Sequence, residues 1–219
     1  MAVAAVASPM ESQFPSLGPG VTLVETDAAT GAVHGLVGRH LEESRGVAYW
    51  LDVGGTASTR AFERASRRAR ERVRVARAFT GYQHFELARG LVGRARGTTA
   101  AVVAPNVDAL YADDDVPDYE ADDLFAATLE LLAAVGAAVD APVVLTSAGT
   151  GYADRVREAA ADVIAVEETR MGLRFDAPDF RTDVYWDGWG FQTTIPYWVD
   201  LLGTAAPVAD PSLVEEAVA

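Results

Sequence analysis

The stretch Gly46-Val-Ala-Tyr-Trp-Leu-Asp52, running into Val53-Gly-Gly-Thr56, decides the fold class. An apolar run this short, closed by an aspartate and two glycines, has the punctuation of a buried strand entering a turn. Working outward, the pattern recurs. Val21-Thr-Leu-Val24 is a strand, Asp27-Ala-Ala-Thr-Gly31 a turn and Ala32 to Glu43 a helix. Downstream, an arginine-rich helix is expected from about Ser58 to Arg70, then an alternating strand, Val73-Arg-Val-Ala-Arg-Ala-Phe79. Residues 82–94 fit a helix with Phe85, Leu87, Leu91 and Val92 as its apolar positions, and Thr98 to Ala104 is a second buried strand. The acidic stretch Asp113 to Asp123 is expected to be an exposed loop opening a long helix, Leu124 to Val139, before a fifth strand at Pro142 to Thr146. Strands alternating with helices at this spacing predict an α/β fold with a mainly parallel sheet flanked by helices. Asp162 to Val166, Met171 to Phe175 and Thr182 to Trp186 follow as short consecutive strands, which predict antiparallel edge strands at the C-terminal end.

Composition bounds the chemistry. The 219 residues include 18 basic ones, every one an arginine, against 32 acidic, for a net charge of −14. Acidic excess without lysine suggests a salt-adapted, halophilic source, where a negative surface serves solubility. With no cysteine, disulfides, thiolate metal sites and cysteine nucleophiles are excluded. The start, Met1 to Ser8, is apolar but lacks a basic region and meets Pro9 and Glu11 at once, unlike a signal peptide. No stretch approaches the roughly 18 apolar residues of a membrane span, so a soluble, cytoplasmic protein is expected. Residues 1–17 form a loose lead-in, 18–203 a single domain and 204–219 an acidic tail.

Laid end to end, the pattern resembles the core domain of the RecA/RadA recombinase family, in its archaeal RadA-type branch. Gly46 to Asp52 with Gly55-Thr56 is similar to the family's second strand, which usually ends in Asp-Thr-Glu-Gly-Thr. Val73 to Phe79 with Tyr82-Gln-His84 resembles the next strand and its His-Gln-bearing helix start, in reversed order. Ala101-Val-Val-Ala-Pro-Asn-Val-Asp-Ala-Leu-Tyr111 occupies the Walker B strand position, Val143-Val-Leu-Thr-Ser147 that of a strand ending in Thr-Asn-Gln, and Met171-Gly-Leu-Arg-Phe175 that of an archaeal edge strand. The resemblance implies a RecA-like P-loop-type fold.

It also implies a phosphate site, whose charged groups are missing. A G-x-x-x-x-G-K-[ST] loop needs lysine beside the β- and γ-phosphates and a hydroxyl on Mg²⁺. Taking Gly31 as the second glycine puts Thr26 at the first, Ala32 at the lysine and Val33 at the hydroxyl. Pro105 stands at the Walker B aspartate, Gly54 at the glutamate that orients water, and Ala148 at the sensing glutamine. No register shift supplies a lysine. The expectation is a pseudoenzyme with no catalytic residue, no cofactor and no metal, although weak nucleotide binding at the helix start around Gly31 stays open.

Between residues 60 and 96 stand 11 arginines and only Glu63, Glu71 and Glu86. Two readings stay open: a solvated face paired with acidic neighbours, or a basic face for nucleic acid or an acidic partner, centred on Arg60, Arg64, Arg67, Arg68, Arg70, Arg72 and Arg74. In the family, DNA is held by loops after the Walker B strand and after the fifth strand. Here the first, Ala112 to Ala121, is acidic and the second, Gly149 to Asp154, is short, so DNA binding is possible but unsupported. The family joins subunits through a Phe-x-x-Ala hook; Phe14-Pro-Ser-Leu17 is rightly placed and lacks the alanine. Trp186 to Trp198 holds three of the four tryptophans, as a plugged core edge or a stacking surface. His34, His40 and His84 show no metal-ligand spacing. The resulting expectation is a non-catalytic RecA/RadA-like paralogue, an accessory or regulatory protein in DNA repair or recombination with a protein partner such as a RadA-type recombinase or repair factor. The alternatives are a regulator of cell division or of a repair polymerase, or a residual nucleotide-binding protein.

Overall fold

The computed structural model of the chain describes residues 14–26, 31–65, 67–169, 172–186 and 191–193. The lead-in before Phe14, the acidic tail and most of the tryptophan-rich stretch therefore lie outside the described residues. The elements in chain order are β1 (Gly20–Thr26), α1 (Gly31–Glu43), β2 (Val47–Val53), α2 (Thr59–Ala65), α3 (Arg67–Arg72), β3 (Val73–Ala78), α4 (Gly81–Arg94) and β4 (Thr99–Ala104). After a 3-10 turn at Ala109–Tyr111 come α5 (Asp118–Val139), β5 (Pro142–Leu145), α6 (Ala153–Ala159), β6 (Asp162–Thr169), β7 (Gly172–Ala177), β8 (Phe180–Trp186) and β9 (Phe191–Thr193).

The sheet runs in the order β3-β2-β4-β5-β1-β6-β7-β8, and β9 pairs antiparallel with the end of β8. The strands from β3 to β6 are all parallel, whereas β6-β7 and β7-β8 are antiparallel. This is the predicted α/β arrangement, with the antiparallel finish where it was expected. A crossover between parallel strands is almost always right-handed, so its direction along the sheet fixes the face its helix covers. The chain steps one way from β1 to β2 to β3, then reverses to β4, β5 and β6. Hence α1 and α2 cover one face, and α4, α5 and α6 the other.

Two apolar layers follow from that reversal. On the α1 face, Val33, Leu36 and Val37 pack on Val24, Trp50, Val103 and Ile164. On the opposite face, Leu91, Phe125, Leu132 and Val156 pack on Leu23, Leu51, Val102 and Leu145. Because β4 is covered on both sides, every one of its residues is buried, which explains why its sequence is a continuous apolar run. Burying each large side chain stabilises by about 1.5–3 kcal/mol.

Phe14 does not extend outward as a hook. Its ring lies against Gly35, where a Cβ would come within 2.8 Å of it. It also meets Phe175 edge-on at 5.2 Å, and Leu17 behind it is buried. Among the described residues, no helix is long and apolar enough to cross a membrane.

Candidate functional site

In an open parallel sheet, ligands bind beyond the carboxyl ends of the strands, where neighbouring connections leave to opposite faces. Here the connection after β1 goes to one face and that after its neighbour β5 goes to the other. The rim of β1, β5, β4 and β2 is thus the place for a ligand. It also gathers the positions matched to a phosphate site.

At β1 the strand ends on Thr26 and α1 begins at Gly31; residues 27–30 lie outside the described residues. Ala32 and Val33 are 1% and 3% exposed and belong to the apolar core beneath α1. The two positions that would carry an ammonium and a magnesium-binding hydroxyl are therefore packing positions. At β2 the chain turns through Gly54 and Gly55 with φ of +71° and +75°. A glutamate at position 54 would have to adopt the left-handed conformation, at roughly 1–2 kcal/mol. Pro105 directly follows β4 and is buried.

Two buried carboxylates hold the rim together, and both are occupied. Asp52, fully buried near the end of β2, accepts hydrogen bonds from the Thr56 hydroxyl at 2.7 Å and the Ala57 N–H at 2.9 Å. It also pairs with Arg77 at 2.6 Å. Burial alone would raise its pKa, but the Thr56 and Ala57 bonds and the Arg77 guanidinium hold it below the ordinary value. Beside it, the Trp50 indole N–H donates to Thr56, and His34 is sandwiched by Trp50 and Phe62 at 4.7 and 4.5 Å. His34 Nε2 accepts the Ser58 N–H at 3.3 Å, which requires that nitrogen to be unprotonated.

Asp108 ties the loop after β4 to the loop after β5. It accepts from the Ala148 N–H at 2.6 Å, the Ser147 hydroxyl at 2.7 Å, and the Thr150 hydroxyl and N–H at 2.7 and 3.2 Å. Burial pushes its pKa up and these bonds outweigh it, so the group stays below its ordinary value. Asn106, held at φ +51°, adds an N–H to the Thr146 hydroxyl at 2.8 Å. The loop that the resemblance assigns to DNA is thus stitched to β4, and Ala148 contributes only its backbone. Sequence reading gave Asp108 no role beyond its place in the stretch Ala101 to Tyr111. A serine and a threonine three apart, Ser147 and Thr150, were the available signal for an acceptor between them.

The described arginines of this segment are spread over more than one surface. Arg60 is exposed on α2, and Arg70 pairs with Glu63. Arg72 turns inward and donates to the carbonyls of Leu41, Ser44 and Gly46, closing the end of α1. Arg74 donates to the Glu71 carbonyl beside edge strand β3, while Arg89 and Arg94 belong to α4 on the other face. The side chains of Arg64, Arg67 and Arg68 lie outside the described residues.

What the edge beside them offers was not foreseen in detail. Among the described residues β3 pairs only with β2, and no described strand lies on its outer hydrogen-bonding edge. Val75 is 49% and Phe79 69% exposed there. A groove of about 150 Å³ runs between the strand and α4, lined by Tyr49, Ala76, Leu87, Leu91, Arg74 and Arg94. Chemically, the rim offers filled carboxylates and apolar packing, whereas the edge offers unpaired backbone, apolar surface and two guanidiniums. No protein-family model matches the chain, and no curated protein matches it.

Proposed function

We propose that the chain is a non-catalytic RecA/RadA-like paralogue that works as an accessory binding protein in DNA repair or recombination. The observation that carries the non-catalytic part is the burial of Ala32 and Val33 in the apolar core, where phosphate transfer needs a lysine and a hydroxyl. Support for the resemblance comes from the sheet order, which brings the ends of β1, β5 and β4 to one rim. Positions matched to the P-loop and to Walker B meet there despite being some eighty residues apart.

Binding would use the β3 edge, where an extended segment of a recombinase-type partner adds as a further strand. Arg74 and Arg94 on the groove select a segment that sets carboxylates beside its apolar anchor. The acidic loop after β4 makes nucleic acid the poorer ligand, since phosphate contacts weaken steeply with salt.

Calorimetry with Mg-ATP in molar KCl tests the first part, and micromolar binding with turnover would overturn it. For the second, a purified RadA-type recombinase is titrated against the chain and against a Val75→Asp/Phe79→Asp variant. The variant is expected to bind at least about tenfold more weakly, since two apolar anchors are replaced by charges that repel an acidic segment. Equal affinity would remove the β3 edge from the proposal.

A further inference from the structure

A second site lies at the opposite end of the sheet. A cleft of about 290 Å³ opens at the amino-terminal ends of β1 and β6 on the α1 face. Its floor is Thr22 of β1 and Ile164 of β6, its far wall the β7–β8 turn with Asp179 and Phe180, and its near wall the lead-in at Ser16. Asp162, the cross-strand partner of Thr22, lines it as well.

Thr22 is 3% exposed, and its hydroxyl makes no hydrogen bond to any described residue. The hydroxyl is not sealed from solvent; it faces the open cleft as a donor and acceptor with no partner among the described residues. Above it stand two carboxylates, Asp162 and Asp179, neither ion-paired among the described residues. Chain topology brings these like charges to one cavity from a strand and a turn 17 residues apart. Ile164, Phe180 and Ala177 supply an apolar wall.

We infer that this cleft binds a small organic cation, a primary ammonium or guanidinium on a short aliphatic body. An ammonium carries three donors and no acceptor, which matches two carboxylates and one hydroxyl. The apolar wall suits a methylene chain and not the oxygen shell of a hydrated metal ion. Anions are excluded by the carboxylates. The volume stands at the lower end of small-molecule pockets, about 300–1,000 Å³, so a compact ligand is specified.

Agmatine, which carries both cationic groups, is the probe. It is titrated into the full chain at constant ionic strength and followed by amide chemical shifts and calorimetry, with KCl as the control cation. Saturable one-to-one binding is expected, with shifts at Thr22, Asp162 and Asp179. Asp162→Asn and Asp179→Asn should each weaken it by about tenfold, as the loss of one charge-assisted hydrogen bond implies. Thr22→Val, which keeps the shape of the side chain, should weaken it several-fold while leaving the thermal midpoint within a few degrees of the parent. The proposal is overturned by an absence of saturable binding up to about 10 mM, weaker than a Kd that any specific site warrants. It is equally overturned if Asp113→Asn in the distant acidic loop weakens binding as much as Asp162→Asn does. Thr22, Asp162 and Asp179 lie away from the rim at the other end of the sheet, so failure here leaves the proposed function standing.

Discussion

At the residue scale, the chain contains buried ionisable groups whose consequences are measurable. His84 is fully buried, with Nδ1 3.0 Å from the Tyr111 hydroxyl and Nε2 without a partner among the described residues. Burial lowers its pKa from 6.5 to about 4. Since the folded value is the lower one, the unfolded chain binds the proton first. Stability is complete above about pH 6.5 and falls as the pH drops, with this group's loss saturating below about 4 at roughly 3 kcal/mol. His84→Phe is expected to flatten the stability slope between about pH 6.5 and 4.5, whatever its own stability; denaturant titrations across that window check it. Asp52 and Asp108 act in the same direction at lower pH. Both are held below the ordinary 3.8, so what they contribute is present above that value and lost as the pH falls through their own. Removing Asp108 is more direct. Asp108→Ala strips the acceptor from Ser147, Ala148 and Thr150 and should cost about 3–5 kcal/mol, read as a lower urea midpoint. Of this, the absence of lysine was legible in the sequence, because composition needs no coordinates. The replacement bonding around Asp108 was not, since Asp108 and Thr150 meet only through the pairing of β4 with β5.

At the scale of elements, boundaries were legible where periodicity was strong and failed where charge misled. The long helix was expected from Leu124, but α5 begins at Asp118, just after Pro117. Its first turn carries Asp118 and Glu120, acids that favour a helix N-terminus and that a count of charges mistakes for loop. The arginine-rich helix expected from about Ser58 to Arg70 is met by α2 and α3, which stand on either side of position 66, outside the described residues. The seven-residue α6 was not anticipated because Val156 is its single buried residue. Close approaches between elements give a graded prediction. At Gly46, φ is +106° and a Cβ would stand 1.7 Å from the Thr98 carbonyl oxygen. Gly46→Ala therefore cannot be absorbed without parting β2 from the turn before β4, and a loss above about 4 kcal/mol is expected. Gly136 is milder. Its added Cβ meets the Val143 side chain at 2.4 Å, which can yield, although the Ala141 carbonyl oxygen lies 3.1 Å away. Gly136→Ala should cost about 1–3 kcal/mol, and parallel thermal melts of the two variants rank them.

For the whole molecule, alternation along the chain announced a mainly parallel sheet with an antiparallel finish, and the structure has one. The strand order was beyond reach, because apolar runs do not state which run they will lie beside. The same holds for charge. Arginines adjacent in sequence are divided between two faces and an edge by the reversal of the crossovers. A net charge of −14 on 219 residues remains a property of the whole chain. Self-repulsion at that charge opposes the compact state, and raising KCl from about 0.1 to 1 M shortens the screening length from about 10 to 3 Å. The thermal midpoint should therefore rise with KCl; a flat or falling curve would mean that the acidic excess costs the fold nothing.

The place of β1 has a consequence during synthesis. Among the described strands this one leaves the ribosome first, yet its two neighbours begin at Pro142 and Asp162. At about 5–20 residues per second, it waits roughly 6–25 s for the first of them. Through that interval β2 and β3 can pair locally, while Val21, Leu23 and Val24 have nothing to pair with. The apolar strand that ends at the centre of the sheet is thus not enclosed until β6 has been made, and a nascent chain stalled before Ala141 carries it as an open, adhesive edge.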